Sequence, residues 1–73
     1  MKIVYTRHAK NRMRWRAITA SEVEETLASP EKIIQESSRK FHFCKAIGAK
    51  YIRVTAAREE NQTVIISVVD KNE

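Results

Sequence analysis

His8 and Arg12 stand four residues apart in "TRHAKNRMRWR", residues 6–16, a stretch without a single carboxylate. On a helix, that spacing brings two Cβ atoms to about 5–6 Å from each other. An imidazole exchanges a proton near neutral pH, and a guanidinium beside it offers a fork of donors to phosphate. One metal-free reaction suits such groups: attack of an RNA 2′-hydroxyl on its own phosphodiester. There a base removes the proton, cations stabilise the added charge and an acid protonates the leaving oxygen. His8 is the candidate base or acid. Arg12, Arg53 and Lys45 are candidate charge stabilisers, and His42 or Tyr51 is the candidate second proton-transfer group. The same pair also reads as a helix-terminal histidine among solvated cations, and both readings stay open at this point.

The charge distribution extends the basic theme. Fourteen Lys and Arg against nine Asp and Glu leave a net charge of +5, which favours a polyanionic partner. Residues 1–16 hold Lys2, Arg7, Lys10, Arg12, Arg14 and Arg16 with no acid, whereas residues 20–31 hold Glu22, Glu24, Glu25 and Glu31 with no base. Arg7, Lys10 and Arg14 on the first helix, with Arg39 and Lys40 opening a later strand, are therefore candidate nucleic-acid contacts. Other chemistries lack their residues. No glycine-rich phosphate loop is present. His42 and Cys44 share a strand face without the second pair that a zinc site requires, so no metal or other cofactor is expected. Paired carboxylates for glycosidase or two-metal chemistry are missing from the basic region. Cys44 with His42 forms a nucleophile pair on paper, yet a strand cysteine is more often a small hydrophobe.

Cys44 is the only cysteine, so no internal disulfide can form and a reducing cytoplasm is the expected compartment. The opening apolar stretch, Ile3 to Tyr5, is too short for a signal peptide. The longest apolar run, "VIISVV", falls far below the roughly 20 residues that span a bilayer, so no membrane partner is expected.

The elements that must position these groups follow from caps and alternation. Seventy-three residues make a single domain, 1–73, which buries only about 60% of its unfolded surface. Thr6 caps a helix predicted from Arg7 to about Arg16. Within it His8, Asn11, Arg12 and Trp15 form one row, Ala9 and Met13 the packing row beside it, and Arg7, Lys10 and Arg14 the remaining side. "ITASEVEETLASP" carries a capping box, Thr19 with Glu22, and Pro30 ends the helix at Ser29. Period-two segments "KIIQE", "RKFHFCKAI", "YIRVTAAR" and "QTVIISVV" follow, separated by short turns that require antiparallel neighbours. The expected fold is α+β: two N-terminal helices on a four-stranded antiparallel meander, to which "KIVY" can add a short edge strand.

Alternation predicts Phe41, Phe43, Ile47, Ile52, Val54 and Ala56 on the core side, with Lys40, His42, Cys44, Tyr51, Arg53, Thr55 and Ala57 opposite. Lys45 falls on the phenylalanine side, where a strand end would let its long chain swing out. In the last strand Val64, Ile66 and Val68 are expected on one face and Ile65 and Val69 on the other. Two apolar faces suit a covering protein partner or a homodimer, and equally the plain exposure of a few aliphatic side chains.

"YTRHAKNRMRWRAITASEVEETLASPEKIIQE", followed by the basic "RKFHF" and by "YIRVTAA", resembles the bacterial domain-of-unknown-function family forty-two fifty-eight. In that family His-Ala opens the first helix, an Ile-[Ser/Thr] cap opens the second and an X-Pro precedes the strands. The family in turn is similar to compact relatives of the RelE and ParE toxins, within the barnase, colicin and RelE-like group. The resemblance implies a RelE-like sheet and a metal-independent endoribonuclease, the toxin of a type II toxin-antitoxin system. It further implies RNA or the ribosome as target and a cognate antitoxin as partner. His8 and Arg12 match its helix motif and Arg53 its basic strand position. The family's last strand often ends in Thr or an aromatic, whereas "SVVD" places Ser67 there. The alternatives are a non-catalytic nucleic-acid- or ribosome-binding module and a small interaction protein without catalysis.

Overall fold

The computed structural model describes residues 2–72. In chain order the elements are β1 (Lys2–Tyr5), α1 (Arg7–Trp15), α2 (Ala20–Ala28), β2 (Lys32–Gln35), β3 (Lys40–Ile47), β4 (Lys50–Glu59) and β5 (Gln62–Asp70). They build one five-stranded sheet in the order β1-β5-β4-β3-β2. β2 to β5 are antiparallel neighbours, but β1 lies parallel to β5, from Lys2↔Gln62 to Tyr5↔Ile65. The sheet is therefore mixed, and the RelE-like arrangement of two helices on a four-stranded antiparallel sheet is not the one adopted. The meander leaves one side of β5 unpaired, and such an edge accepts a further strand. Thr6 settles where β1 lies, because its Oγ1 donates to the Ile65 carbonyl at 2.9 Å and its amide to the same oxygen at 3.2 Å.

Thr6 is at once the junction to the sheet and the N-cap of α1, accepting from the Ala9 amide at 3.1 Å. At the other end the chain leaves α1 through Ala17 at φ 52°, the left-handed region that a Cβ disfavours. Ile18 N donates to Met13 O at 2.9 Å and Ala17 N to Arg14 O at 3.4 Å, a Schellman closure with alanine where glycine is usual. Burial of Ile18 holds it shut. α2 opens on the capping box, Glu22 N to Thr19 Oγ1 at 3.1 Å and Thr19 N to Glu22 Oε1 at 2.9 Å. Lys50 Nζ then reaches both Ala17 O and Glu22 Oε1, tying the interhelical link to β4.

Both helices pack on one face of the sheet. There Ala9, Ile18, Val23, Phe43, Ile52, Val54, Ala56, Ile65 and Val68 form the core. The last strand departs from simple alternation. Thr55 pairs with Ser67 while Ala56 pairs with Ile65, so Ile66 is an extra residue in a β-bulge. The bulge turns Ile65 and Val68 to the same, helix-covered face, and the expected grouping of Val64, Ile66 and Val68 is corrected accordingly. The opposite face carries no helix and presents Val4, Val64, Val69, Thr55, Arg53 and Cys44.

Candidate nucleic-acid interface

Successive helical residues step about 100° around the axis, so burying Ala9 and Met13 turns a continuous arc of α1 outward. Lys10, Arg14, Arg7, Asn11, Trp15, His8 and Arg12 occupy that arc in order. His8, Asn11, Arg12 and Trp15 line a shallow hollow of about 320 Å³. Arg12 Nε donates to His8 Nε2 across a long 3.5 Å contact. Trp15 is 83% exposed, the most exposed large apolar side chain among the described residues.

The charges of α1 suit the negative end of its dipole, where Arg12 and Arg14 lie in the last turn, but not the positive end. Its first turn holds no acid to face the positive end of the helix dipole, and Arg7 is its first residue. No described carboxylate pairs with Arg7, Lys10, Arg12 or Arg14, whereas Lys40, Lys45 and Lys50 each pair with a glutamate. Uncompensated positive charge therefore gathers on one helix face, around an exposed indole.

The other proposed proton-transfer and phosphate groups lie elsewhere. His42, Tyr51 and Arg53 sit on β3 and β4 positions that alternate with the core residues, on the face away from the helices. His42 is buried and engaged at both ring nitrogens, Nδ1 with Thr55 Oγ1 at 2.9 Å and Nε2 with Glu36 Oε1 at 2.6 Å. His42 and then Lys40, whose Nζ is 3.2 Å from Oε2, hold the Glu36 carboxyl below the usual range. Burial pushes the Tyr51 phenol up, and neighbouring Cys44 adds to the shift. Lys45 stays on the helix side, its Nζ donating to Ser29 O at 2.8 Å and lying 3.8 Å from Glu25, and so does not swing out. Arg39 lies at the hairpin end beside Glu59 and Glu60. The structure thus brings His8 and Arg12 together, along with Arg7, Lys10 and Arg14. It puts the sheet between that cluster and Arg53, Tyr51 and His42, and leaves Lys45 in a third place.

A family model described as a domain of unknown function (DUF4258) matches residues 5–70. The chain belongs to the DUF4258 family. Comparison with curated proteins and with solved structures gives no match. The DUF4258 match runs from the last residue of β1 to the last of β5, so it takes in α1 and its whole outward arc.

Two features of this DUF4258 domain are not encoded in its local sequence pattern. Trp15 and Asn11 were legible as neighbours of His8, but as helix-row members they carried no sign of exposure. Glu36 and Thr55, the partners of His42, are the second. The strand alternation that puts Thr55 on the His42 face was available, while the return of Glu36 toward His42 depends on the β2–β3 pairing. Among the described residues no cluster of three or more His, Cys, Asp or Glu side chains could hold a metal ion. None of the described helices is long and apolar enough to cross a membrane.

Proposed function

We propose that this domain binds single-stranded RNA through the outward face of α1. The observation that carries the reading is the exposed Trp15 set among His8, Asn11 and Arg12, on a helix whose cations have no acidic partner. An aromatic platform takes an unstacked base, and flanking cations track the phosphates on either side. Asn11 supplies a donor and an acceptor for a base edge or a ribose hydroxyl. A cytoplasmic location goes with such a ligand.

The decisive measurement is the salt dependence of binding to a short unstructured RNA. Each neutralised phosphate on a single strand contributes a slope of about −0.7 to log K against log salt. Replacing Arg7, Lys10 and Arg14 by alanine should therefore flatten the slope by about 2. An unchanged slope places the RNA on some other surface.

Cleavage is a second reading, favoured by the Arg12 guanidinium lying against an acceptor nitrogen of His8. The chain would then be the endoribonuclease toxin of a toxin-antitoxin pair, and its antitoxin would have to cover α1. In that reading His8 alone serves as the proton-transfer group on this face. Cutting in the presence of a chelator should leave 2′,3′-cyclic phosphate ends, and His8→Ala should slow it by about 100-fold. Binding without cutting leaves the first reading alone in place.

A further inference from the structure

β2 is one of the two edge strands of the sheet, β1 being the other, and every one of its residues is exposed, with Ile33 at 55% and Ile34 at 38%. Its backbone direction can be read from the neighbouring ladder. Glu36 N donates to Lys40 O at 2.9 Å, in phase with the Ile34↔His42 pairing. In an antiparallel ladder the backbone groups of alternate residues face the same neighbour, so Lys32, Ile34 and Glu36 turn theirs toward β3. The N–H and C=O of Ile33 and Gln35 consequently point out of the sheet edge. Long-chain edges with apolar side chains are usually blunted by charge, proline or a bulge. Here the flanking charges are placed to pair instead.

We propose that two copies of this chain join antiparallel along β2, with the two-fold axis at Ile34. In this register Ile33 and Gln35 of one copy exchange hydrogen bonds with Gln35 and Ile33 of the second copy. Ile34 meets its own counterpart in the close, non-hydrogen-bonded pair. Lys32 lies opposite Glu36 of the second copy on both sides of that centre. Lys32, Ile34 and Glu36 share the helix-free face of the sheet, as the contact of Glu36 with His42 requires. The Glu36 side chain is half-exposed, which leaves it room for a second cation beside Lys40. A shift of one residue would oppose outward backbone groups to inward ones. A shift of two in the pairing sum sets Lys32 or Glu36 against Ile34. Only the Ile34-centred register satisfies the backbone and both charges. The positive charge of the chain is not concentrated at this seam, since residues 30–37 hold two glutamates and one lysine. The product is one continuous ten-stranded sheet with an isologous interface.

Sedimentation of the full chain should give twice the monomer mass, and two kinds of variant test the register. In a Cys44→Ala background, Ile34→Cys should form a covalent dimer on mild oxidation, since the Cα separation of a non-hydrogen-bonded pair, about 4.5 Å, accepts a disulfide. Ile33→Cys in the same background should not, because the two positions lie diagonally. Lys32→Glu and Glu36→Lys should each weaken self-association by about tenfold through two cross-strand repulsions. Mixed together, these two variants should pair with each other. If Glu36→Lys loses its fold by circular dichroism, Ile33→Pro decides in its place: it removes an outward N–H and no bond within the chain, and must yield monomer. A chain that sediments as monomer at every concentration overturns the proposal. A dimer that Ile34→Cys fails to cross-link overturns it as well.

Discussion

Replacing Trp15 by alanine separates binding from folding with unusual clarity. A tryptophan offers about 250 Å² at most, and with 83% already exposed only about 40 Å² remains to be lost. At 25 cal/mol per Å² the fold loses about 1 kcal/mol or less. Stacking of one base on an aromatic ring is worth about 1–3 kcal/mol by alanine substitution. The dissociation constant for a short RNA should therefore rise by about five- to 150-fold while the thermal midpoint moves by a few degrees. Because Trp15 is the only tryptophan, its fluorescence reports on the contact directly. Titration with RNA should quench it, with a midpoint equal to that from an independent binding assay. In the free protein iodide should quench more strongly than caesium, because Arg12 and the unpaired cations of α1 surround the ring. Emission unchanged at saturating RNA, or full affinity in Trp15→Ala, would refute the stacking role and with it the placement of RNA on α1.

Other consequences can be checked by melting and titration. Thr6→Ala removes the cap of α1 and the hydroxyl bond to Ile65 O, and should destabilise the fold by about 2 kcal/mol, read from denaturant midpoints. Ala17→Gly relieves a left-handed alanine and should raise stability by about 0.5–1 kcal/mol, which a higher thermal midpoint would register. Ile52→Ala empties a fully buried position and should cost about 2–5 kcal/mol. The carboxyls of Glu22, Glu36 and Asp70 are all held below their usual range, chiefly by the Thr19 amide, by His42 and by the Asn72 amide respectively. A lowered folded-state pKa gives stability that is complete above the unfolded value, near 4, and is lost as pH falls through the folded one. Thermal midpoints should accordingly fall between about pH 5 and about pH 2, and Glu36→Gln should flatten part of that decline.

Features set by neighbours in the chain were legible from the residues alone. Thr6 and Thr19 cap their helices through contacts three residues away, and Pro30 ends α2 by clashing with the residue before it. Alternation likewise determined which sides of β3 and β4 face the core, since successive side chains of a strand must point to opposite faces. The row of His8, Asn11, Arg12 and Trp15 needed nothing beyond helical periodicity. Tertiary pairing decided the rest. β1 lies parallel to β5 because Thr6 binds a carbonyl 59 residues away, a contact that no local pattern encodes. The bulge at Ile66 arises where β5 must keep register with β4 and still turn both Ile65 and Val68 inward. Arg53 was separated from His8 by the side of the sheet on which α1 came to rest. A row on one helix and a face on one strand can each be read from their periods, but whether they meet depends on how the layers stack.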